Sequence, residues 1–302
     1  MAMHAAAFSH VLCPIDFSET SRRALQHAAA LASWYHARLS VLHVTAHEGE
    51  TVPVVGAPGE GIVVLPTPSS DQLAARLRWE VSQVVAAPSS VQMLVAAGLP
   101  HRVVLEQIRE AGADLLVLGT HGRTGFEPFF LGSTTEKLLQ TATCPVLTVP
   151  PRAEHEPPLR PRQILCPTDF SASARRARDI ALDVAGQTGA CVTMLHALEY
   201  VDPQGLPEYA EPTMHAHREY LIEHRRQQLH EEASAPGAAC DVREVLAIDR
   251  AWRQVLEQAR EIPADLIVMG AQGNTGVELM LYGSTTQHVV RRATCPVLTV
   301  RA

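Results

Sequence analysis

Residues 119–133 read GTHGRTGFEPFFLGS, and residues 270–284 read GAQGNTGVELMLYGS. Each is Gly-x-x-Gly, nine residues, then Gly-Ser. Before each stands a short apolar run behind an aspartate, Asp114-Leu-Leu-Val-Leu and Asp265-Leu-Ile-Val-Met. Such a run is too short for a helix and too apolar for a surface loop, so it predicts a buried parallel strand. After each, Ser133-Thr-Thr-Glu and Ser284-Thr-Thr-Gln place a hydroxyl three residues before Glu or Gln, which predicts a helix start closed by a capping box. A strand, a glycine-rich loop and a helix N-terminus together make an anion site. Backbone N–H groups point outward, the helix dipole favours negative charge, and glycine lets a phosphate approach.

Working outward, the repeat extends to the whole chain. Cys13, Asp16 and His43 recur as Cys166, Asp169 and His196 at an offset of 153, and Gly119, Gly132 and Cys144 recur as Gly270, Gly283 and Cys295 at 151. A match that keeps register at both ends of a fold-sized unit is a duplication. The proline-rich, charged stretch PPRAEHEPPLRPR that begins at Pro150 has the composition of a semi-rigid spacer. The chain therefore divides into a first domain (1–150), a linker (151–162) and a second domain (163–302).

In each domain short apolar strands alternate with helical patterns. In the first, strands begin at His10, Arg38, Val91, Leu115 and Cys144, and helices begin near Ser18, Ser70, Pro100 and Ser133. Residues 48–68, rich in Gly, Pro and Val, carry no helical period and are expected to form an insertion or mobile loop. The second domain repeats the order, with a Pro-containing loop over 199–212 and a long polar helix over 213–233. The pattern implies two tandem doubly wound α/β domains, Rossmann-like, each a five-stranded parallel sheet of order 3-2-1-4-5 flanked by helices. Ligands of such sheets sit beyond the carboxyl ends of the strands where the order reverses. That point lies between strand 1, ending at Asp16 or Asp169, and strand 4, ending at the glycine motif, an arrangement suited to a nucleotide. Asp16 could alternatively serve only as a helix N-cap, with Ser18 and Ser171 as competing caps.

Composition narrows the function. A net charge of −7, with Lys137 the only lysine, argues against a general nucleic-acid or acidic-membrane binder. No apolar run approaches a membrane span, and MAMHAAAFSH lacks the basic start and long apolar core of a signal peptide, so a cytoplasmic protein is expected. The six cysteines include no CxxC pair, and Cys13, Cys144, Cys166 and Cys295 recur at matching strand ends, which reads as buried small hydrophobes. His215, His217, His224 and His230 lie among acids on a polar helix and read as a solvated face. His43 and His196 read as packed strand-end residues. There is no Walker A sequence, nucleophile elbow or placed general base, so no catalytic residue is assigned and phosphoryl transfer lacks its usual parts.

Pro-Ile-Asp-Phe-Ser and Pro-Thr-Asp-Phe-Ser after strand 1, Leu-His-Val and Leu-His-Ala ending strand 2, and the two Gly-x-x-Gly-x9-Gly-Ser motifs resemble the universal stress protein family in its tandem form. What the resemblance implies is an ATP-binding regulator with two adenine-nucleotide sites, acting through nucleotide-dependent conformation or partner binding. A slow ATP hydrolase, or a scaffold with vestigial sites, is the alternative. By resemblance, Asp16 holds the ribose side and Val44 the adenine edge through its backbone. Gly119, Gly122, Gly132, Ser133 and Thr134 hold the phosphates, with Arg123 beside them. In the second domain the same roles fall to Asp169, Ala197, Gly270, Gly273, Gly283, Ser284 and Thr285. The cofactor implied is ATP, with or without Mg2+. The partners implied are adenine nucleotide, a second copy of the chain and an unidentified protein, with no nucleic acid or membrane. The last strand of each domain is expected to pair across domains. His121 and Arg123 give way to Gln272 and Asn274 in the second motif, so a guanidinium is replaced by an amide and weaker phosphate retention is expected there.

Overall fold

The structure is a computed structural model and describes residues 7–45, 53–54, 63–64, 68–120, 131–151, 160–199, 211–234, 240–273 and 283–301. The first repeat runs β1 (His10–Pro14), α1 (Glu19–Tyr35), β2 (Arg38–Thr45), β3 (Pro53–Val54), β4 (Val63–Val64), α2 (Ser70–Val84), β5 (Gln92–Ala97), α3 (Pro100–Ala111), β6 (Leu115–Gly119), α4 (Ser133–Thr141) and β7 (Val146–Val149). The second runs β8 (Gln163–Pro167), α5 (Ala172–Thr188), β9 (Cys191–Leu198), α6 (Glu211–Ala233), β10 (Val242–Ile248), α7 (Ala251–Glu261), β11 (Leu266–Gly270), α8 (Ser284–Arg292) and β12 (Val297–Val300). Packing divides the chain into Met1–Cys144 and Pro145–Ala302.

In the first unit the strands lie in the order β5-β2-β1-β6, all parallel. In the second the order is β10-β9-β8-β11-β12, again all parallel. β7, which ends the first sequence repeat, packs with the second unit and pairs antiparallel with β12, Leu147 opposite Leu298. The central strands are buried on both faces, with Val11, Leu12, Leu115 and Leu116 inaccessible in one unit and Ile164, Leu165, Ile267 and Val268 in the other. That is why they read as continuous apolar runs rather than alternating ones. Each sheet is locked at its base by an aspartate. Asp114 accepts from the Ser9 and His10 N–H groups, each at 2.8 Å, and Asp265 from those of Arg162 and Gln163 at 2.7 and 3.0 Å.

Helix ends follow local chemistry. Ser18 and Ser171 are the N-caps of α1 and α5, their hydroxyls accepting from the Ser21 and Ala174 N–H groups. Ser69 and Gln72 form a reciprocal capping box on α2. α3 and α5 end in left-handed glycines, Gly112 and Gly189, where a side chain would be strained by the backbone alone. At α4 and α8 the expected capping boxes are absent. Gly132 and Gly283 hold the N-cap positions without a side-chain cap, so Ser133 and Ser284 are already helical. Within 48–68, Pro53 and Val54 pair antiparallel with Val64 and Val63; most of that segment lies outside the described residues, as does most of 199–212.

Candidate nucleotide site

The carboxyl ends of β1, β2 and β6 open on a crevice of about 290 Å³, and those of β8, β9 and β11 on one of about 510 Å³. Asp16, Val44, Gly119, Gly132, Ser133 and Thr134 all line the first, and Asp169, Ala197, Gly270, Gly273, Gly283, Ser284 and Thr285 all line the second. Gly122, Arg123, His121 and Asn274 lie outside the described residues.

The acid is held by a turn that both repeats build alike. Asp16 Oδ1 accepts from the Ser18 N–H at 3.0 Å, and Asp169 Oδ1 from the Ser171 N–H at 3.1 Å. The intervening Phe17 and Phe170 take φ of 65° and 64°, a left-handed conformation that costs a bulky residue about 1–2 kcal/mol. Ring and cation contacts, worth about 0.5–1.5 kcal/mol for an aromatic pair, act against that strain. Phe17 lies 4.2 Å from the His43 ring with the Arg76 guanidinium 4.3 Å away, and Phe170 lies 4.5 Å from His196 with Arg225 at 5.6 Å. His43 and His196 are buried, and their Nδ1 atoms sit 2.8 Å from the Ile15 and Thr168 carbonyls. A carbonyl only accepts, so Nδ1 carries the proton. Burial pushes the His196 pKa below its ordinary value. Both histidines are thus packed strand-end residues, although His196 also reaches the wall of the second crevice.

The two described ends of each glycine motif are hydrogen-bonded to each other. Gly132 N–H donates to the Thr120 carbonyl at 2.8 Å and Gly283 N–H to the Ala271 carbonyl at 2.9 Å. Thr135 and Thr286 then tie the helix start to the strand end, their hydroxyls donating to the Gly119 and Gly270 carbonyls at 2.8 and 3.0 Å. The glycines here are needed for space. A Cβ on Gly119 would lie 2.7 Å from Thr20, one on Gly270 2.6 Å from the Ser173 hydroxyl, and one on Gly273 2.7 Å from Asp169 Oδ2. The last distance also puts the acid and the glycine motif, 104 residues apart in sequence, on the same crevice.

A profile model of the universal stress protein family matches residues 7–150 and again 161–301. The chain belongs to the universal stress protein family. Among its relatives, universal stress protein YxiE of Bacillus subtilis is 34% identical over 150 residues, covering 47% of this chain and 99% of that one. A universal stress protein of Mycolicibacterium smegmatis is 28% identical over 307 residues and 96% of each chain. Among solved structures, a universal stress protein from Archaeoglobus fulgidus superposes with a TM-score of 0.65 at 22% identity, covering 99% of each chain, which is a likeness of fold.

The sequence did not point to Thr135 and Thr286, to the α3 and α7 residues Pro100, Val104, Ala251 and Val255, or to Glu199 and Arg225 as crevice residues. The second Thr of each Ser-Thr-Thr was a usable signal, since a hydroxyl in a first helical turn can bond back to a carbonyl. Arg225 sits on a polar helix whose orientation no local pattern reveals. Among the described residues no group of three or more His, Cys, Asp or Glu could hold a metal ion, and no helix is long and apolar enough to cross a membrane.

Proposed function

We propose that this universal stress protein is an ATP-binding regulator with one nucleotide site in each unit, and that occupancy changes its conformation or its choice of partner. The observation that carries this reading is the convergence, twice, of a strand-end carboxylate, a glycine loop and an open helix N-terminus on one crevice. The absent capping boxes support it. A helix start whose N–H groups are left uncapped by side chains is suited to receive an anion. Asp16 and Asp169 accept from ribose hydroxyls, the backbone at Val44 and Ala197 meets the adenine edge, and Gly132-Ser-Thr and Gly283-Ser-Thr hold the phosphates, with Mg2+ arriving on the nucleotide. In the first unit Gly122 and Arg123 complete the phosphate cradle. Binding is the function, and turnover is slow or absent. The protein works in the cytoplasm as a homodimer with a protein partner selected by nucleotide state.

The test is denaturation of freshly purified protein and chromatography of the released nucleotides. Near two adenine nucleotides per chain is the expected outcome, with their ATP-to-ADP ratio over time reporting turnover. Added ATP at one hundred times Kd should stabilise the fold by about 2.7 kcal/mol. No released nucleotide and no stabilisation would leave a scaffold with vestigial sites.

A further inference from the structure

The two crevices are not copies of each other. The second is the larger, about 510 Å³ against 290 Å³, and its wall gains His196, Glu199 and Arg225. The two arginines over the corresponding phenylalanines differ in the same sense. The Arg76 guanidinium lies 4.3 Å from the Phe17 ring and is not among the described residues lining the first crevice. Arg225 stands 5.6 Å from Phe170 and lines the second. Its Nη1 donates to Gln228 Oε1 at 2.6 Å, while its Nε–H is buried with no acceptor among the described residues.

A second group on the same wall is also unmatched. His196 is 7% exposed, its Nδ1 proton is committed to the Thr168 carbonyl, and its Nε2 is buried without a partner among the described residues. In the neutral ring that atom is an acceptor. The carboxylates nearby are engaged elsewhere: Glu199 Oε1 accepts from the Ala251 N–H at 2.9 Å and Asp169 Oδ1 from the Ser171 N–H. A buried donor and a buried acceptor left open on one wall each lose a hydrogen bond's worth of stability unless a ligand restores it. The sequence supplies the complement, because the second glycine motif has Asn274 where the first has Arg123.

We propose that Arg225 is a ligand-binding cation of the second crevice, paired with an anionic oxygen of the bound ligand, and that His196 Nε2 accepts from a hydroxyl or amino group of the same ligand. The inference rests on the nucleotide reading above. A cation supplied from α6 takes the place of the one missing from the second loop, and the extra volume admits the side chain and the group it binds. The two sites thus recognise the same anionic class of ligand with arginines from different elements.

Site-resolved photoaffinity labelling of the full chain tests this. 8-Azido-ATP and uncharged 8-azidoadenosine are titrated, and labelled peptides from 1–150 and 163–302 are quantified separately. Arg225→Gln should raise the half-saturation of second-repeat labelling by 8-azido-ATP roughly tenfold or more, the scale of a lost charge-assisted hydrogen bond. Labelling by 8-azidoadenosine should not change, and Arg225→Lys, which keeps the charge and most of the packing stem, should recover part of the loss. Arg76→Gln should leave first-repeat labelling unchanged with both probes. Equal weakening of both probes by Arg225→Gln would mean that Arg225 only packs on Phe170, and no weakening would mean that it has no role; either overturns the proposal. Absence of saturable labelling in both repeats of the unaltered protein would overturn the nucleotide reading itself.

Discussion

Glu80 shows how one residue position sets a local energy. Its side chain is 3% exposed and accepts from Arg22 Nε at 2.8 Å and Nη2 at 3.0 Å, a bidentate pair joining α1 to α2. The counterpart in the second unit is looser, Arg175 lying 3.8 Å from Glu232, whose other oxygen accepts from the Thr168 hydroxyl. Removing Arg22 leaves a carboxylate buried without its cation, whereas removing Arg175 leaves one that keeps a hydrogen bond. Arg22→Met should therefore cost about 1–3 kcal/mol, and Arg175→Met should cost under about 1 kcal/mol. Urea denaturation of the two variants compares them directly, and equal losses would contradict the argument. The cysteines follow the same logic of burial: it pushes the thiols of Cys166 and Cys295 up to about 12 and that of Cys13 further, so all three stay protonated as small hydrophobes.

At the scale of elements, the β7–β12 ladder is held by a reciprocal pair of hydroxyls. Thr148 Oγ1 donates to the Val297 carbonyl and Thr299 Oγ1 to the Val146 carbonyl, each at 3.2 Å, and both threonines are buried. Valine has nearly the same shape and cannot donate. Thr148→Val and Thr299→Val should each cost about 1 kcal/mol. Serine at either position keeps the donor, so Thr→Ser variants that lose the ladder more than Thr→Val would show that volume and not hydrogen bonding matters there. The pairing also answers an exposure problem, since each of these apolar strands covers an edge that would otherwise template association. The strands themselves were legible from Cys-Pro-Val-Leu-Thr-Val occurring twice. Their pairing was expected only from the family resemblance, because nothing in a strand's own sequence names its neighbour, and the antiparallel sense came from the structure alone.

For the whole molecule, acid should loosen the fold in a defined window. Desolvation, with Arg23 nearby, pushes His27 on α1 down to about 4 from an ordinary value near 6.5, and burial lowers His196 as well. The unfolded chain then binds protons that the folded one refuses, so stability is complete above about pH 6.5 and is lost as pH falls toward 4. The melting temperature should drop between pH 7 and pH 5, and His27→Leu should reduce that drop. An unchanged pH profile in the variant would remove His27 from the account.

The sequence by itself determined the α/β class and the duplication. It also placed Asp16 and Asp169 opposite the glycine motifs at the strand ends, and these acids line the crevices together with Gly119, Gly132, Gly270, Gly273 and Gly283, whereas Val44 and Ala197 were expected only from the family resemblance. The acids and glycines were legible because strand runs, glycine loops and proline-rich spacers are local patterns, and a motif present twice filters out coincidence. Tertiary structure decided the rest. Ser133 and Ser284 carry the signature of a capping box, but the Gly132 and Gly283 N–H groups bond the Thr120 and Ala271 carbonyls just past β6 and β11. Gly132 and Gly283 are thereby placed at the cap, and the helix start is left uncapped by side chains. Likewise Glu199 and Arg225 become crevice residues only when α6 and the end of β9 have packed. The physical reason is the same in both cases. Local propensity fixes what a segment becomes, while the direction in which its side chains and N–H groups face is set by packing against residues outside the segment.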